Sequence, residues 1–416
     1  MYDPVAELKH HTLANELSVH HVYWDRPWVK LEAVVHVGSR EDTQGKSGLA
    51  HYLEHLVSDN SPGHSVASMK RIFESCGGSV HLGSTSYFGT RYGFAVSADK
   101  PMLRKSLNAF GGMLIKGKLK RGIDRELQVV EREFNKTYPF RERLDWKLLC
   151  RKSLHAGHRL EQWGCPLGTP AQFKTITEED LQGFYDKYYV PANISLVVVG
   201  GIGEQALISA LEKSPFAAVK VGVRNRTPAP LIEIPAPCEQ RFEVRLSDYM
   251  KVKLDHAEYE MLWAIPSNFP WHARAVFTDM LRMILFKELR EKRTLSYSTS
   301  TKTRSFQDVL EFSISGMVPP SAVSSIEKLV SDCITMVAGD RKLFERKLNA
   351  RIKSCAMTDT SGGALADNAA SDLSLMQRIE TGQETLEGFK KVTFAQMEEV
   401  ARLLSPERRF TFLTLP

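Results

Sequence analysis

Two stretches far apart in this chain are written to one plan, and that duplication restricts its possible folds more than any other feature. "TITEEDLQGFYDKYYVPANISLVVVG" has a capping threonine at Thr177, a helical run, a break at Pro191 and a strand through Val199. "VTFAQMEEVARLLSPERRFTFLTLP" repeats the order from Thr393, with Gln396 three residues on, through Pro406 to Leu415. The threonines lie 216 residues apart and the prolines 215, a period near half the chain and so the mark of an internal repeat. Between the copies, "RNRTPAPLIEIPAPC" carries four prolines from Pro228 to Pro237. That density resists both helix and central strand and reads as an extended linker. The expected organisation is a first domain over 1–220, a linker over 221–240 and a homologous second domain over 241–416.

Apolar strands interleaved with long helical patterns point to an α+β or α/β sandwich. Expected strands include Leu31 to Val37, Ile194 to Val199, Glu311 to Ser315 and Phe410 to Leu415. The formal charge of +6 is spread along the chain rather than gathered in runs, and there is no finger spacing or glycine–aromatic RNA signature, so nothing motivates nucleic-acid binding. The six cysteines form no C-x-x-C pair and are expected as reduced thiols. The polar N-terminus lacks the apolar stretch of a signal peptide, and no run is long enough to span a membrane. The expectation is a soluble cytoplasmic protein without membrane or nucleic-acid partners.

The chemistry is concentrated in "SGLAHYLEHLVSD". Leu49, Ala50, Leu53, Leu56 and Val57 predict a largely buried helix that carries His51, Glu54 and His55. Residues i and i+4 share a helix face, so both imidazoles can reach one ion while Glu54 stands beside them within reach of a water. Histidine pairs on surface helices also occur without a metal. A catalytic zinc takes three protein ligands and leaves one position open. A third is available in "GIDRELQVVEREFNKTY", where Ile123, Leu127, Val130 and Phe134 mark a core-facing stripe. Glu126 and Glu133, two turns apart, share a second face there, although a solvated face carries charges at the same spacing.

Taken together these residues resemble the pitrilysin and insulin-degrading enzyme family of zinc peptidases, which includes the mitochondrial processing peptidases. The family pattern is H-x-x-E-H followed some 75 to 80 residues later by a ligand glutamate, itself seven residues after another functional glutamate. Here His55 to Glu133 is 78 positions and Glu126 to Glu133 is seven. "VGSREDTQGKSGLAHYLEHL", "FESCGGSVHLGSTSYFGTRYGF" and "LFKELREKRTLSYSTST" also resemble family segments. The likeness implies two duplicated sandwich domains, each a mostly antiparallel sheet covered by helices. It implies one Zn2+ per chain on His51, His55 and Glu133, with Glu54 as general base and Glu126 orienting a ligand or the water. Arg290 and Tyr297 would bind substrate carbonyls. His81 and Leu82 would lie in an edge strand that pairs with substrate backbone, where relatives commonly have Asn-Ala.

After the zinc helix, "VSDNSPGHS" departs from the family pattern, so that loop is expected to be shaped differently. Relatives enclose peptides in a chamber of four such domains. A two-domain chain is therefore expected to form a homodimeric clamshell that cuts small to medium unfolded peptides. The alternatives are a subunit of a heteromeric processing peptidase that matures one precursor, a non-catalytic partner in such an assembly, and a structural or storage zinc protein.

Overall fold

The computed structural model describes residues 7–138, 164–225, 255–296, 299–306, 309–355 and 362–416, with 145, 148, 149, 152–156, 236, 237 and 240–245. The prolines of the linker other than Pro237 lie outside the described residues, as does Tyr297. The strands are β1 (Lys9–Thr12), β2 (Ser18–Tyr23), β3 (Trp28–Val35), β4 (Ser79–Thr85), β5 (Thr90–Ser97), β6 (Ile194–Gly200), β7 (Arg241–Arg245), β8 (Ala257–Pro266), β9 (Thr299–Ser305), β10 (Val309–Val318) and β11 (Arg409–Leu415). The principal helices are α1 (Leu49–Asp59), α2 (Val66–Ser75), α3 (Lys100–Lys116), α4 (Ile123–Thr137), α5 (Glu178–Tyr188), α6 (Trp271–Leu285), α7 (Val323–Gly339), α8 (Arg341–Cys355), α9 (Gly362–Met376) and α10 (Ala395–Leu403).

The repeat read in the sequence is a repeat in topology. One sheet runs β1-β2-β6-β3-β5-β4 and the other β7-β11-β8-β10-β9. Apart from the additional edge strand β1, each has one parallel pair, β2 with β6 or β7 with β11, followed by antiparallel neighbours. Both copies of the helix–proline–strand unit feed that parallel pair. Thr177 caps α5 by accepting from the Asp180 amide, 3.2 Å away, and a short 3-10 turn at Pro191 leads into β6. In the second copy the Thr393 amide donates to the Gln396 side chain at 2.9 Å, and the turn at Pro406 leads into β11. β6 is buried along its whole length, which accounts for its unbroken apolar sequence.

The chain forms two compact units, and the linker alone does not separate them. One comprises Met1–Leu144, Trp163–Pro228 and Asp359–Gly382; the other comprises Asp145–Gln162, Ala229–Thr358 and Gln383–Pro416. A plain division into 1–220 and 241–416 therefore misplaces two segments. Residues 359–382 supply α9, whose Leu365, Ala366, Ala369, Ala370 and Leu373 are buried with Val22, Val34, Val197 and Val199 of the first sheet. Conversely, His155 is wholly buried in the second unit, where its Nε2 donates to Glu311 on β10 at 2.8 Å.

The core of the second unit joins Trp263 and Phe312 of the sheet to Phe277 and Met280 of α6, Val330 and Ile334 of α7, and Met397 and Val400 of α10. In the first unit Phe94 packs 5.1 Å from both Phe73 and Phe110, so α2 and α3 are fixed to β5. Cys76, Cys165, Cys333 and Cys355 form no disulfide with one another. Among the described residues no helix is long and apolar enough to cross a membrane.

Candidate metal centre

α1 is positioned by contacts at both ends and along its length. It begins at Gly48, whose φ of 94° is a conformation that glycine adopts without strain. A Cβ there would lie 2.8 Å from the Gly168 Cα. Asp42 accepts the amides of Gly48 and Ala50 at 2.7 and 2.8 Å, satisfying orphan donors at the helix start. Burial pushes its carboxyl up to about 7, with these amides pulling the other way. At the far end the buried Asn60 donates to Leu56 O and Arg121 O and accepts the amides of Lys120 and Arg121, all within 3.0 Å. Asn60 thus ties the end of α1 to the loop that leads into α4. The Tyr52 hydroxyl adds a bond to Ile123 O at 2.6 Å, fixing the first turn of α4 against the middle of α1.

With the two helices so joined, three donors converge. Glu133 Oε2 lies 3.6 Å from His51 Nε2 and 3.4 Å from His55 Nε2. One ligand atom from each of the three residues falls within 4.8 Å of the others, and no other such group of three occurs among the described residues. Zinc–nitrogen and zinc–oxygen bonds of about 2.0–2.2 Å in a tetrahedron set donors roughly 3.3–3.5 Å apart, so both carboxylate–imidazole separations suit one zinc ion. Two imidazoles and one carboxylate are also the donor set of an open, catalytic zinc site. Burial, reinforced by the neighbouring His55, drops the His51 imidazole to about 3. It is therefore neutral at physiological pH, which is the ligating form.

A second set of groups aims this one. Glu126 Oε2 stands 3.3 Å from His55 Nδ1, the carboxylate–histidine pairing that fixes a ligand's tautomer and ring orientation. Its other oxygen accepts from Arg125 Nε at 3.0 Å, and Arg125 Nη2 reaches Asp59 Oδ2 at 2.7 Å. A chain of charge-assisted bonds thus runs from the end of α1 back to His55.

Glu54 is buried beside the histidines and meets β4, the outermost strand of its sheet. Between His81 and Ser84 the pairing of β4 with β5 slips, a bulge at Leu82–Gly83. Gly83 has φ +148°, and a Cβ on it would sit 2.4 Å from Glu54 Oε1. The carboxylate occupies that space, and the Thr85 hydroxyl donates to its Oε2 at 3.1 Å. Burial raises the Glu54 carboxyl to about 8, the Thr85 hydrogen bond opposing this and the charge of Glu133 adding to it. A divalent cation at the histidines would draw it down again.

His81 and Leu82 lie on this edge strand, His81 exposed and Leu82 half-buried. Arg290 lies in the second unit, on a π-helical turn over Phe286–Glu291, its guanidinium 5.2 Å from the Phe286 ring centre. Asp42, Asn60, Gly83, Thr85 and Arg125 are supporting residues that the motif reading did not reach. The glycine inside the alternating pattern of β4 was the one available signal, since it marks a bulge.

Residues 25–162 match the family model described as Insulinase (Peptidase family M16), and residues 175–351 match the model described as Peptidase M16 inactive domain. The Insulinase model lies within the first half of the duplication and holds all three converging donors, whereas the other model runs from the end of that half into the second. The chain belongs to peptidase family M16. The zinc protease PqqE of Helicobacter pylori is 26% identical over 354 residues, 80% of this chain and 77% of that protein. The crystal structure of a protease from H. pylori superposes with a TM-score of 0.81 at 20% identity, covering 98% of this chain and 99% of that one. Pitrilysin superposes at 0.75 and 15% identity, where all of this chain covers 46% of pitrilysin. These structural likenesses establish the M16 fold.

Proposed function

We propose that this M16 chain is a zinc metalloendopeptidase that hydrolyses small to medium unfolded peptides, with one zinc ion per chain on His51, His55 and Glu133. The observation that carries this reading is the convergence of those three donors, drawn from two helices, with the buried Glu54 carboxylate beside them. When bound, zinc supplies a Lewis acid that polarises the scissile carbonyl and acidifies water. Glu54 then takes the proton of the attacking water and returns it to the departing amine. The Thr85 hydroxyl and the space left by Gly83 hold its carboxylate in one place for both transfers. Glu126 keeps the His55 ring turned so that Nε2 faces the ion. The outer edge of β4 offers main-chain groups to an extended peptide, a mode that reads backbone more than side chains.

We further propose a homodimer that encloses the peptide, with Arg290 and Tyr297 completing the substrate site across subunits. Mixing a Glu54→Gln chain with a Tyr297→Phe chain should then restore hydrolysis.

Digestion of a peptide library with mass-spectrometric mapping, with and without a chelator, tests the activity. Cleavage that chelation abolishes and zinc restores is expected. A fully metallated protein that cuts nothing would overturn the reading and leave the chain as a partner subunit of a heteromeric peptidase.

A further inference from the structure

Immediately beyond the candidate metal helix lies a cleft of about 340 Å³ whose walls come from the loop after α1, from α2 and from α3. That volume is at the small end of small-molecule sites. None of the three metal donors lines it. Its polar groups are Ser61 and His64 of the loop, and Lys105, Asn108 and Lys116 of α3. Apart from His64, each presents a hydrogen-bond donor in every state, and two carry fixed positive charge.

The local charge is one-sided. Residues 100–121 contain seven lysines and arginines and no aspartate or glutamate. Lys105 donates to Ser75 Oγ at 2.9 Å, and neither Lys105 nor Lys116 ion-pairs with a carboxylate among the described residues. Ser61 is 1% exposed, and its hydroxyl has no hydrogen-bond partner among the described residues, an arrangement that costs stability unless a ligand or water satisfies it. The helix wall is open towards it, because position 112 is glycine and a Cβ there would lie 3.9 Å from Ser61 Oγ. The loop is also held ready: Arg121 Nη2 donates to Ser61 O at 3.2 Å and to His64 O at 2.9 Å. Preorganisation of this kind lowers the cost of binding.

We propose that this cleft binds a phosphate group, with Lys105 and Lys116 neutralising it and Ser61 and Asn108 donating to its oxygens. Two cations and several neutral donors suit a dianion with three free oxygens better than a monovalent carboxylate. Ile72 and Pro215 in the remaining wall give an apolar surface for an organic portion of the ligand. The site is independent of peptide hydrolysis, and its occupant would bear on the loop that ends α1.

Calorimetric titration of the whole chain at constant ionic strength tests this, with inorganic phosphate and a nucleoside monophosphate as probes. Saturable one-to-one binding is expected, and both lysines are exposed, so K105Q/K116Q should fold normally. Losing a charge-assisted bond weakens binding by about tenfold or more, so the double variant should raise Kd at least that much. S61A should raise it by a smaller factor. Tighter binding of the nucleotide assigns the apolar wall to an organic phosphate, whereas equal binding assigns the site to free phosphate. Heat that chloride reproduces, or that K105Q/K116Q leaves unchanged, overturns the site. So does binding that vanishes on chelation, since that phosphate was on the metal.

Discussion

At position 83 the absence of a side chain is what admits the Glu54 carboxylate, and the backbone there, at φ +148°, is one that only glycine holds easily. Gly83→Ala should therefore displace the Glu54 carboxylate, the proposed proton-transfer group, while leaving the three donors in place. A misplacement of about 1 Å at a reacting centre costs on the order of a hundredfold. kcat should fall by roughly that factor with zinc content unchanged, and an unaltered kcat would show that Glu54 is not the base. Glu126→Gln acts on the other property: with the carboxylate gone from His55 Nδ1, zinc affinity should weaken by about 10–100-fold, read by competition with a chromogenic chelator. The donors and Glu54 were legible because helical spacing places them on adjoining faces of one short segment and on a second helix. Thr85 and Gly83 were not, because they reach Glu54 from a strand about thirty residues on, through a bulge that shifts which side chains face it.

As elements, α1 and β2 show how far local pattern carries. The apolar positions of "LAHYLEHLV" announce a buried helix, but its two ends are fixed by Asp42 and Asn60, and Asn60 reaches forward 61 positions to Arg121. No local pattern encodes that. Asn60→Ala removes four buried or part-buried hydrogen bonds, and a buried group left unsatisfied costs about 1–3 kcal/mol. Urea unfolding should register a loss of roughly 2–4 kcal/mol. In β2, His21 is 2% exposed, and its Nε2 donates to Ile202 O at 2.9 Å. Burial, the largest influence, lowers its affinity for protons below the ordinary 6.5, against the pull of that carbonyl. As pH falls through about 6.5 the unfolded chain takes up a proton that the folded ring resists, so stability is lost on acidification, by at most about 1.4 kcal/mol per pH unit. Unfolding at pH 7.5 and 5.5 should show a shallower dependence in His21→Gln than in the parent chain.

Over the whole molecule, the duplication was visible in sequence but the exchange of segments between its halves was not, because α9 meets strands more than 150 residues away along the chain. The consequence is that the first unit is incomplete without residues 359–382. Val22, Val34, Val197 and Val199 are covered by Leu365, Ala366, Ala369, Ala370 and Leu373, and Lys30 Nζ adds a bond to Asp367 at 2.7 Å. Burying a leucine or valine is worth about 1.5–3 kcal/mol, so exposing this face removes a large part of the 5–15 kcal/mol or so by which domains are stable. A fragment ending at Pro228, near the boundary that the linker advertises, should bind a hydrophobic dye and unfold without a sharp transition. The same fragment with residues 359–382 joined through a flexible linker should regain cooperative unfolding and lose the dye. If the short fragment unfolds as sharply as the joined one and binds no dye, the exchanged helix is a passenger and the units are independent after all.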